Sequence, residues 1–400
     1  MSKKWFLYFI SLQLFICINV QAQERQDQET YEINHGPYLQ HVSDSSVTII
    51  WMTNRKGTGW VELAPEDSTH FYFKERPKYY DSDNGLKNVT TLHKVRIEGL
   101  SPGTKYRYRI YSKEVVNRSP GNIVYNDVAA TDVFRKDALM FKTSDPNQKQ
   151  LSFLMVNDIH ERNDVLEKLL KMGSVEDTDL VLFAGDMINN SRTEDQIFDG
   201  FMDTSVNIFA SEIPMYYARG NHETRGAFAS NFSDYFPSPT GNLYYLIRQG
   251  PICFVILDSG EDKPDTDIEY GGIDGYANFD YYRSQQAQWL KTAVQSKKFK
   301  SAPIKVAILH IPPFGGWHGE TEVNEKFVPI LNKAGIDIML AGHLHRYVYK
   351  EPEAGNWEFP IIVNGNNTVL QAKADVQKLD INVINRDGKQ LNFISVKSRN

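Results

Sequence analysis

Seven side chains of kinds that bind transition metals stand just after short apolar runs in the sequence. They are Asp158, His160, Asp186, Asn221, His310, His343 and His345. Imidazole and carboxylate groups together suit zinc, iron and manganese. Seven ligands are too many for one tetrahedral ion, whereas two ions about 3.5–4 Å apart can share one carboxylate among seven ligands. The residue types therefore predict a site for two divalent or trivalent metal ions, with iron, manganese or zinc the best suited.

The local patterns around these residues differ in specificity. An Asp-x-His sequence such as Asp158-Ile159-His160 is common, and a Gly-Asp pair after a strand usually forms a turn. A lone histidine at a strand end is more often a hydrogen-bonded surface residue than a ligand. Gly-Asn-His-Glu at 220–223 and Gly-His-Leu-His at 342–345 are more specific. The succession of five such patterns along the chain favours a metal site over five unrelated turns.

The region from about residue 150 to 400 contains the elements that would position these residues. Apolar runs alternate there with amphipathic stretches, a pattern typical of layered α/β architecture with buried strands. The predicted strands are 151–156, 180–184, 214–218, 252–257, 304–309, 336–341, 359–363, 379–384 and 391–396. The predicted helices are 164–172, 193–210, 284–294 and 323–333. Since ligands bind beyond the carboxyl ends of strands in open α/β sheets, the polar residues after these runs should converge.

Residues 33–145 show a different pattern. β-branched and aromatic runs lie at 46–52, 60–63, 93–97 and 106–111. Turn-forming residues separate these runs, and no helical period intervenes. This spacing predicts an all-β sandwich of about 100 residues. We therefore expect two domains, an N-terminal sandwich over residues 33–145 and an α/β domain over residues 150–400.

The ordered metal motifs resemble those of the metallophosphoesterase superfamily, the calcineurin-like phosphoesterases. Members carry Asp-x-His, Gly-Asp, Gly-Asn-His-Asp/Glu, a strand-terminal His and Gly-His-x-His, and the match spans residues 150–400. Gly36-Pro37-Tyr38-Leu39-Gln40, Trp51 and the segment 100–106 are similar to the fibronectin type III-like domain that precedes purple acid phosphatase-type catalytic domains. The resemblance implies an α/β (α+β) four-layer sandwich behind an all-β sandwich.

The resemblance also implies how the ligands divide between two ions. Asp158, His160 and His345 would bind one ion, Asn221, His310 and His343 the other, and Asp186 would bridge them. A bridging water would attack phosphorus as hydroxide, while the cations neutralise charge on the phosphoryl oxygens. By the same resemblance His222, which directly follows a ligand, would protonate the leaving oxygen. The alternative is that His222 only forms hydrogen bonds behind the ligands.

Position 189 departs from the purple acid phosphatase pattern. Those enzymes carry a tyrosine three residues after the bridging aspartate, and their colour comes from Fe(III)–tyrosinate. Asn189 stands there in this chain, and His160 supplies an imidazole in its place, so we predict no purple chromophore. Many protein phosphatases carry an aspartate there that pairs with the catalytic histidine. An amide cannot supply that charge, which leaves the group that orients His222 open; Glu223 is a candidate, although a structural role suits it better.

Three further residues are candidates for substrate contacts. Arg162 and Arg225 follow metal motifs and could hold a phosphate in a bidentate grip, or could be solvated arginines at helix starts. His318 lies in a loop eight residues beyond His310 and could be a second proton donor, although a plain loop histidine is the more frequent case. The aromatic stretch 276–282 could stack on a nucleobase or aryl ester, but packing near Trp289 is the stronger expectation.

Residues 1–22 have the features of a secretory signal peptide. Two lysines precede an apolar run, and short side chains follow at Val20-Gln21-Ala22. A run of about 16 residues is short for a membrane span of about 20. We therefore expect cleavage, no stable membrane span afterwards, and export to the periplasm, the cell surface or the medium. Cleavage would leave Cys253 alone, and its apolar surroundings predict a buried, inert thiol.

The formal net charge of −6 would become −8 once the signal peptide, with two lysines and no acid, is removed. Such a charge argues against a protein that binds nucleic-acid duplexes. We therefore predict a small phosphorylated substrate and hydrolysis of phosphate monoesters, as in acid phosphatases. Two alternatives stay open. One is a phosphodiesterase or nucleotidase using the same metals, and the other is a surface binding protein with an inactive metal domain. The sequence does not define an oligomeric state.

Overall fold

The structure is a computed structural model that describes residues 30–268 and 276–399. The predicted signal peptide and the polar segment after it, as far as residue 29, lie outside the described residues. Within the described ranges no helix is long and apolar enough to cross a membrane.

From residue 30 to residue 145, the described N-terminal part of the chain contains nine strands. They are β1 (Ile33–Gln40), β2 (Ser46–Pro65), β3 (Lys78–Tyr80), β4 (Ser82–Asp83), β5 (Leu86–Lys87), β6 (Thr90–Glu98), β7 (Lys105–Ser119), β8 (Asn122–Ala130) and β9 (Leu139–Lys142). The first half of β2 pairs with β1 and β6, and its second half pairs with β3 and β7. The predicted strands 46–52 and 60–63 are therefore two halves of one long strand that passes from one layer of the sandwich to the other.

The core of this sandwich contains apolar side chains from both halves of β2. Ile49 and Trp51 come from the first half, and Val61 comes from the second. The buried Trp51 donates its Nε1 hydrogen to Ser112 Oγ at 2.8 Å, which satisfies the one polar group that the indole brings into the core. The all-β prediction for this region is confirmed.

The described residues of the second part of the chain form twelve strands and eight α-helical segments. The strands are β10 (Leu151–Val156), β11 (Leu180–Phe183), β12 (Met215–Tyr217), β13 (Tyr245–Gln249), β14 (Ile252–Ile256), β15 (Ile304–Ile308), β16 (Ile338–Ala341), β17 (Val348–Lys350), β18 (Ile361–Val363), β19 (Thr368–Ala374), β20 (Lys378–Asn385) and β21 (Gln390–Lys397). The helices are α1 (Asn163–Met172), α2 (Asp195–Ile197), α3 (Asp203–Ser205), α4 (Phe232–Tyr235), α5 (Phe279–Ala293), α6 (Lys297–Lys300), α7 (His318–Lys326) and α8 (Val328–Ala334).

These strands form two six-stranded sheets, ordered β12-β11-β10-β19-β20-β21 and β13-β14-β15-β16-β18-β17. One apolar core lies between the sheets, where Phe153 of β10 meets Phe254 of β14 edge to face at 5.3 Å. A second core lies under α1 on the outer face of the first sheet, and a third lies under α5, α7 and α8 on the outer face of the second. The order of layers is therefore helix, sheet, sheet, helix, which confirms the predicted four-layer sandwich.

Several predicted element boundaries need correction. The predicted helix 323–333 is two helices, α7 and α8, separated at Phe327, and Pro329 lies in the first turn of α8, where its missing N–H costs nothing. The predicted helix 193–210 is a continuous segment of alternating α and π turns from Asp195 to Ala210. The sequence pattern does not indicate β13 and β17, which are short, or β19, whose apolar residues are interrupted by Gln371 and Lys373.

The N-terminal sandwich and the α/β part of the chain share apolar and polar contacts. Tyr38 from the sandwich belongs to the same core as α1, and its hydroxyl donates to the Tyr235 carbonyl at 3.0 Å. His35 stacks on Phe198 at 4.1 Å and lies 3.0 Å from both carboxylate oxygens of Asp203. The sandwich is thus packed against the helical layer of the first sheet. Cys253, on β14, is free and buried, and burial raises the pKa of its thiol to about 12, as an inert thiol requires.

Candidate metal centre

Five loops bring the predicted ligands together, and each follows a parallel strand. The loops after β10, β11 and β12 of the first sheet hold Asp158, His160, Asp186 and Asn221. Those after β15 and β16 of the second sheet hold His310, His343 and His345. Because parallel strands end at one edge, and both sheets present that edge on the same side, residues as far apart as 158 and 345 meet there.

One cluster of ligand atoms surrounds the carboxylate of Asp158. His345 Nε2 lies 3.2 Å from Asp158 Oδ1 and 3.1 Å from His160 Nε2. His160 Nε2 is also 3.9 Å from Asp186 Oδ2. These four side chains could hold one metal ion, because each offers one ligand atom within 4.8 Å of the others.

A second cluster lies on the other side of Asp186. His310 Nε2 is 3.0 Å from Asp186 Oδ2, and the ring of His343 packs edge to face on that of His310. Asp186, His310 and His343 could therefore hold a second ion. Asp186 belongs to both clusters, which is the arrangement that a bridging carboxylate requires.

Three buried polar atoms of the candidate ligands indicate that metal ions fit this site. Asn221 Oδ1 is buried and makes no hydrogen bond with the described residues, and the buried Asp158 Oδ1 and His310 Nε2 have only ion-pair contacts, with His345 and Asp186 respectively. Leaving such atoms unpaired in a protein interior costs free energy unless something else binds them. Asn221 lies next to His222, whose backbone N–H donates to Asp186 Oδ1 at 3.0 Å. These buried atoms and the mixture of imidazole, carboxylate and amide donors fit two metal ions.

The backbone at the ligands is strained. Five of them have positive φ angles, which residues other than glycine adopt rarely: Asp158 (53°), His160 (51°), Asp186 (54°), His343 (75°) and His345 (54°). Such conformations persist only where surrounding contacts hold them, and they concentrate at functional sites. The strain is therefore a sign, independent of side-chain chemistry, that this edge of the sheets serves a function.

Hydrogen bonds behind the ligands fix their orientation. Asp158 Oδ2 accepts the backbone N–H of His343 at 2.9 Å, which leaves Oδ1 for the site. His310 Nδ1 donates to the Ala184 carbonyl at 2.7 Å, so its Nε2 faces Asp186. The buried carboxylate of Glu223 accepts the backbone N–H groups of Asp186 and Gly220, each at 2.9 Å. Glu223 therefore supports the loops, as expected for a structural residue, and does not orient His222.

Burial and the central carboxylate set the protonation states of the metal-free site. Burial lowers the pKa of His160 and of His343 to about 4. Burial also disfavours charge on His310, but the adjacent Asp186 outweighs it and raises the pKa of His310 to about 10. In turn, burial alone would raise the pKa of Asp186, but His310 lowers it well below its usual range. Two imidazoles are thus neutral and ready to bind a metal, while His310 and Asp186 form a buried ion pair.

His222 lies beside the clusters without joining either of them. Its Nδ1 donates to the backbone carbonyl of Asn189 at 2.6 Å. Its Nε2 points toward the site, 3.9 Å from Asp186 Oδ2. The side chain is partly exposed, so a substrate could reach it. This placement suits proton transfer better than metal binding.

The metal motifs in the sequence do not indicate a role for Glu161. Its carboxylate accepts the Asn189 backbone N–H at 3.1 Å and the Asn189 side-chain Nδ2 at 2.8 Å. The segment whose carbonyl orients His222 is therefore itself held by a carboxylate. The one sequence signal is that Glu161 directly follows the ligand His160, and acidic residues beside ligands are too common for that to identify a role.

None of the three candidates for substrate contacts is placed to hold a phosphate in a bidentate grip. Arg162 donates from Nε to the Ile159 carbonyl at 2.8 Å and from Nη2 to the carbonyls of Asp158 and Asn366 at 2.7 and 2.9 Å. Its guanidinium thus braces the Asp158 loop. A bidentate grip on phosphate would break these bonds.

Arg225 is directed toward acidic side chains. Its Nε and Nη2 donate to the Glu261 carboxylate at 2.8 and 2.6 Å, and Nη2 also lies 3.0 Å from Asp262. Only Nη1 approaches the site, 3.2 Å from His222 Nε2. Arg225 can therefore place one N–H near the leaving group, and the expected bidentate grip is replaced by a bidentate ion pair with Glu261.

His318 begins α7 and lies outside both metal clusters. Its Nε2 is 2.7 Å from Asp280 Oδ1, an oxygen that Arg283 also contacts at 2.6 Å. The expected second proton donor is thus part of a neutralised surface cluster. In the aromatic stretch, Tyr282 packs on Tyr244, as does Trp289, which agrees with the packing expected there.

Comparisons with known proteins agree with this geometry. A model of the calcineurin-like phosphoesterase family matches residues 151–347, which include all seven ligand candidates. A model of the purple acid phosphatase N-terminal domain matches residues 36–123.

Individual relatives are similar over most of the chain. Purple acid phosphatase 21 of Arabidopsis thaliana is 24% identical over 306 residues, 70% of this chain and 60% of its own length. Purple acid phosphatase 23 of the same plant is 24% identical over 76% of this chain and 71% of its own. The chain thus spans between three fifths and three quarters of these relatives. The solved structure of purple acid phosphatase PPD1 from yellow lupin superposes with a TM-score of 0.64 at 16% identity, over 90% of this chain and 74% of that one, which shows a shared fold.

Proposed function

Because the chain belongs to the calcineurin-like phosphoesterase family, with an N-terminal domain of the purple acid phosphatase type, we propose that it hydrolyses phosphate monoesters with two metal ions. The observation that carries the proposal is the carboxylate of Asp186, which lies in both clusters of ligand atoms. The names of the relatives support an acid phosphatase-like activity, and the partly exposed His222 and His345 leave the site open to a small substrate.

Each side chain of the site has a role in this proposal. Asp158, His160 and His345 would hold the first ion, Asn221, His310 and His343 would hold the second, and Asp186 would be common to both. When bound, two such ions acidify a water molecule and neutralise charge on the phosphoryl oxygens. His222 is the general acid, since its Nδ1 is held by Asn189 while Nε2 faces the site. The element is iron, manganese or zinc on the basis of the donor types.

We also propose that the protein acts outside the cytosol. The features of residues 1–22 support this location, and a lone buried thiol is compatible with an oxidising compartment. Export would expose the enzyme to extracellular or periplasmic phosphate esters, for which broad specificity is useful.

Metal analysis coupled to two chromogenic esters tests the function. The purified protein should contain about two ions per chain and should hydrolyse p-nitrophenyl phosphate much faster than bis-p-nitrophenyl phosphate. Faster hydrolysis of the diester would instead identify a phosphodiesterase. If the fully metallated protein hydrolyses neither ester, nor nucleotides or phospholipids, the proposal fails and the chain is a binding protein.

A further inference from the structure

An exposed tryptophan lies near the candidate metal centre. Trp317 directly precedes α7 and is 51% exposed. Among the described residues, the apolar core under α7 includes Val323 and Phe327 of that helix but not Trp317. An aromatic side chain stabilises a fold mainly through the area that it buries. The packing of α7 therefore does not account for a tryptophan at this position.

Three consecutive contacts link the indole ring to a candidate ligand of the second ion. Lys263 Nζ lies over the ring of Trp317, 2.9 Å from its centroid. The same ammonium lies 3.3 Å from Asp262 Oδ2, and that oxygen is 3.8 Å from His343 Nε2. The ring is therefore close enough to be reached by the remaining part of an ester whose phosphoryl group is bound at the ions.

The same loop also contacts the groups beside the proposed proton donor. Asp262 Oδ1 accepts a hydrogen bond from Arg225 Nη2 at 3.0 Å, and Arg225 Nη1 lies 3.2 Å from His222 Nε2. In the proposed reaction His222 protonates the leaving oxygen, so the leaving group departs on this side of the site. The connection through Asp262 places Trp317 on the same side as the leaving group.

The backbone around Trp317 is held firmly against the segment that contains Lys263. The Trp317 N–H donates to Glu320 Oε2 at 2.7 Å, and the Gly319 N–H donates to the Asp262 carbonyl at 2.9 Å. A Cβ at position 319 would fall 2.9 Å from the Asp262 Cα atom, so only glycine allows this approach. The ring is therefore pre-organised, which lowers the entropy cost of binding a ligand against it.

The charge of Lys263 is suited to holding the ring rather than to binding an anion. Its ammonium pairs with Asp262. Burial raises the pKa of Glu320, and Lys263 opposes this rise, so a second carboxylate also acts on the ammonium. A further phosphate group of a substrate would gain little from a cation that is already balanced. A cation over an indole ring is attracted to its π electrons, and this attraction fixes the ring.

We propose that Trp317 is a specificity-determining residue that stacks on a planar aromatic leaving group, either an aryl ring or a nucleobase. The inference rests on the proposed function, which places the phosphoryl group at the two ions. Stacking tolerates different rings because each has a π face, whereas an alkyl leaving group such as glycerol has none. The stack is the same in the ground state and the transition state, so it should lower KM and leave kcat unchanged.

Steady-state kinetics of the metallated full chain test the proposal with naphthyl phosphate, adenosine monophosphate and glycerol phosphate. In Trp317→Ala, KM should rise about 5–100-fold for at least one aromatic ester, with kcat and the hydrolysis of glycerol phosphate unchanged. Trp317→Phe should restore most of the affinity. Phe73→Ala, which removes an aromatic side chain that is 68% exposed on the sandwich, is the control and should match the wild type. A rise confined to naphthyl phosphate would identify an aryl leaving group, and one confined to adenosine monophosphate a nucleobase.

Binding of two phosphonates to the metallated protein tests the same contact without turnover. In calorimetric titrations, Trp317→Ala should bind benzylphosphonate more weakly by a similar factor and methylphosphonate as well as the wild type does. Unchanged KM for both aromatic esters, or unchanged affinity for benzylphosphonate, would overturn the proposal. An equal loss for aromatic and alkyl compounds would also overturn it, because it would show that Trp317 only supports the loop. If benzylphosphonate binding depends on Trp317 but no ester is hydrolysed, the inference stands and the proposed function fails.

Discussion

The Nδ1 atom of His222 donates a hydrogen bond of 2.6 Å to the backbone carbonyl of Asn189. A carbonyl only accepts, so the proton stays on Nδ1 and the exchange of protons with a substrate is left to Nε2. The side chain at position 189 is not needed for this contact, which explains how an asparagine can stand where related enzymes carry tyrosine or aspartate.

Glu161 should act on His222 through this carbonyl. In Glu161→Ala the two hydrogen bonds to Asn189 are lost, and we expect turnover to fall by about 10–100-fold while both ions stay bound. The loss should be larger for phenyl phosphate than for p-nitrophenyl phosphate, because the poorer leaving group depends more on a proton donor. Steady-state kinetics with both esters, alongside metal analysis, measures this.

Asn189→Ala is the control for Glu161. This variant keeps the carbonyl that binds His222 and the backbone N–H that binds Glu161, and it removes only the side-chain contact. Its turnover should therefore fall less than that of Glu161→Ala. A loss in Glu161→Ala that is equal for both esters would show that Glu161 does not act through His222.

Substitution of Asp186 should abolish metal binding, whereas substitution of His222 should reduce only turnover. Asp186→Ala removes the carboxylate common to both clusters, so we expect both ions to be lost. His222→Ala should retain both ions and lose about 10²–10⁴-fold in turnover. Elemental analysis and monoester kinetics measure the two effects, with Asp164→Ala, an exposed aspartate at the start of α1, as a control. Loss of an ion from His222→Ala would make this residue a ligand.

Metal binding should release about one proton near neutral pH. In the metal-free protein the pKa of His310 is raised to about 10, so its imidazole is protonated and must lose that proton to bind a metal. His160 and His343, each with a pKa lowered to about 4, are already neutral and release none. His345, whose pKa is raised by its bond to Asp158, adds a fraction. Titration calorimetry in buffers of different ionisation enthalpy measures the release; heats independent of the buffer would contradict the prediction.

The iron-loaded protein should lack the intense visible band of a tyrosinate ligand. The side chain at position 189 is an exposed amide, and its Nδ2 donates to Glu161 at 2.8 Å. The absorption spectrum after loading with Fe(III) checks this, with the metal-free protein as the blank. An intense band would mean that a tyrosine from elsewhere in the chain reaches the ion.

The sequence predicted the candidate ligands because the information about them is local. A polar residue directly after a buried apolar run lies at a strand end, and the order of such residues fixes which donors meet once strands are parallel. This local pattern was sufficient to predict Asp158, His310 and His345 as candidate ligands. The layered fold followed from the same periodicity, and errors arose where periodicity is weak, as in the single long β2 and in β19, where Gln371 and Lys373 interrupt the apolar residues.

Only the tertiary structure shows the contacts that depend on how the loops are arranged around the site. It showed that the Asp186 carboxylate belongs to both clusters and that Asn189 orients His222. It paired Arg225 with Glu261, 36 residues away. No periodic pattern in the sequence predicts these contacts, because each of them depends on the path of an irregular loop. The sequence therefore predicted the candidate metal donors and the class of reaction, whereas the positioning of the candidate proton donor became visible only in three dimensions.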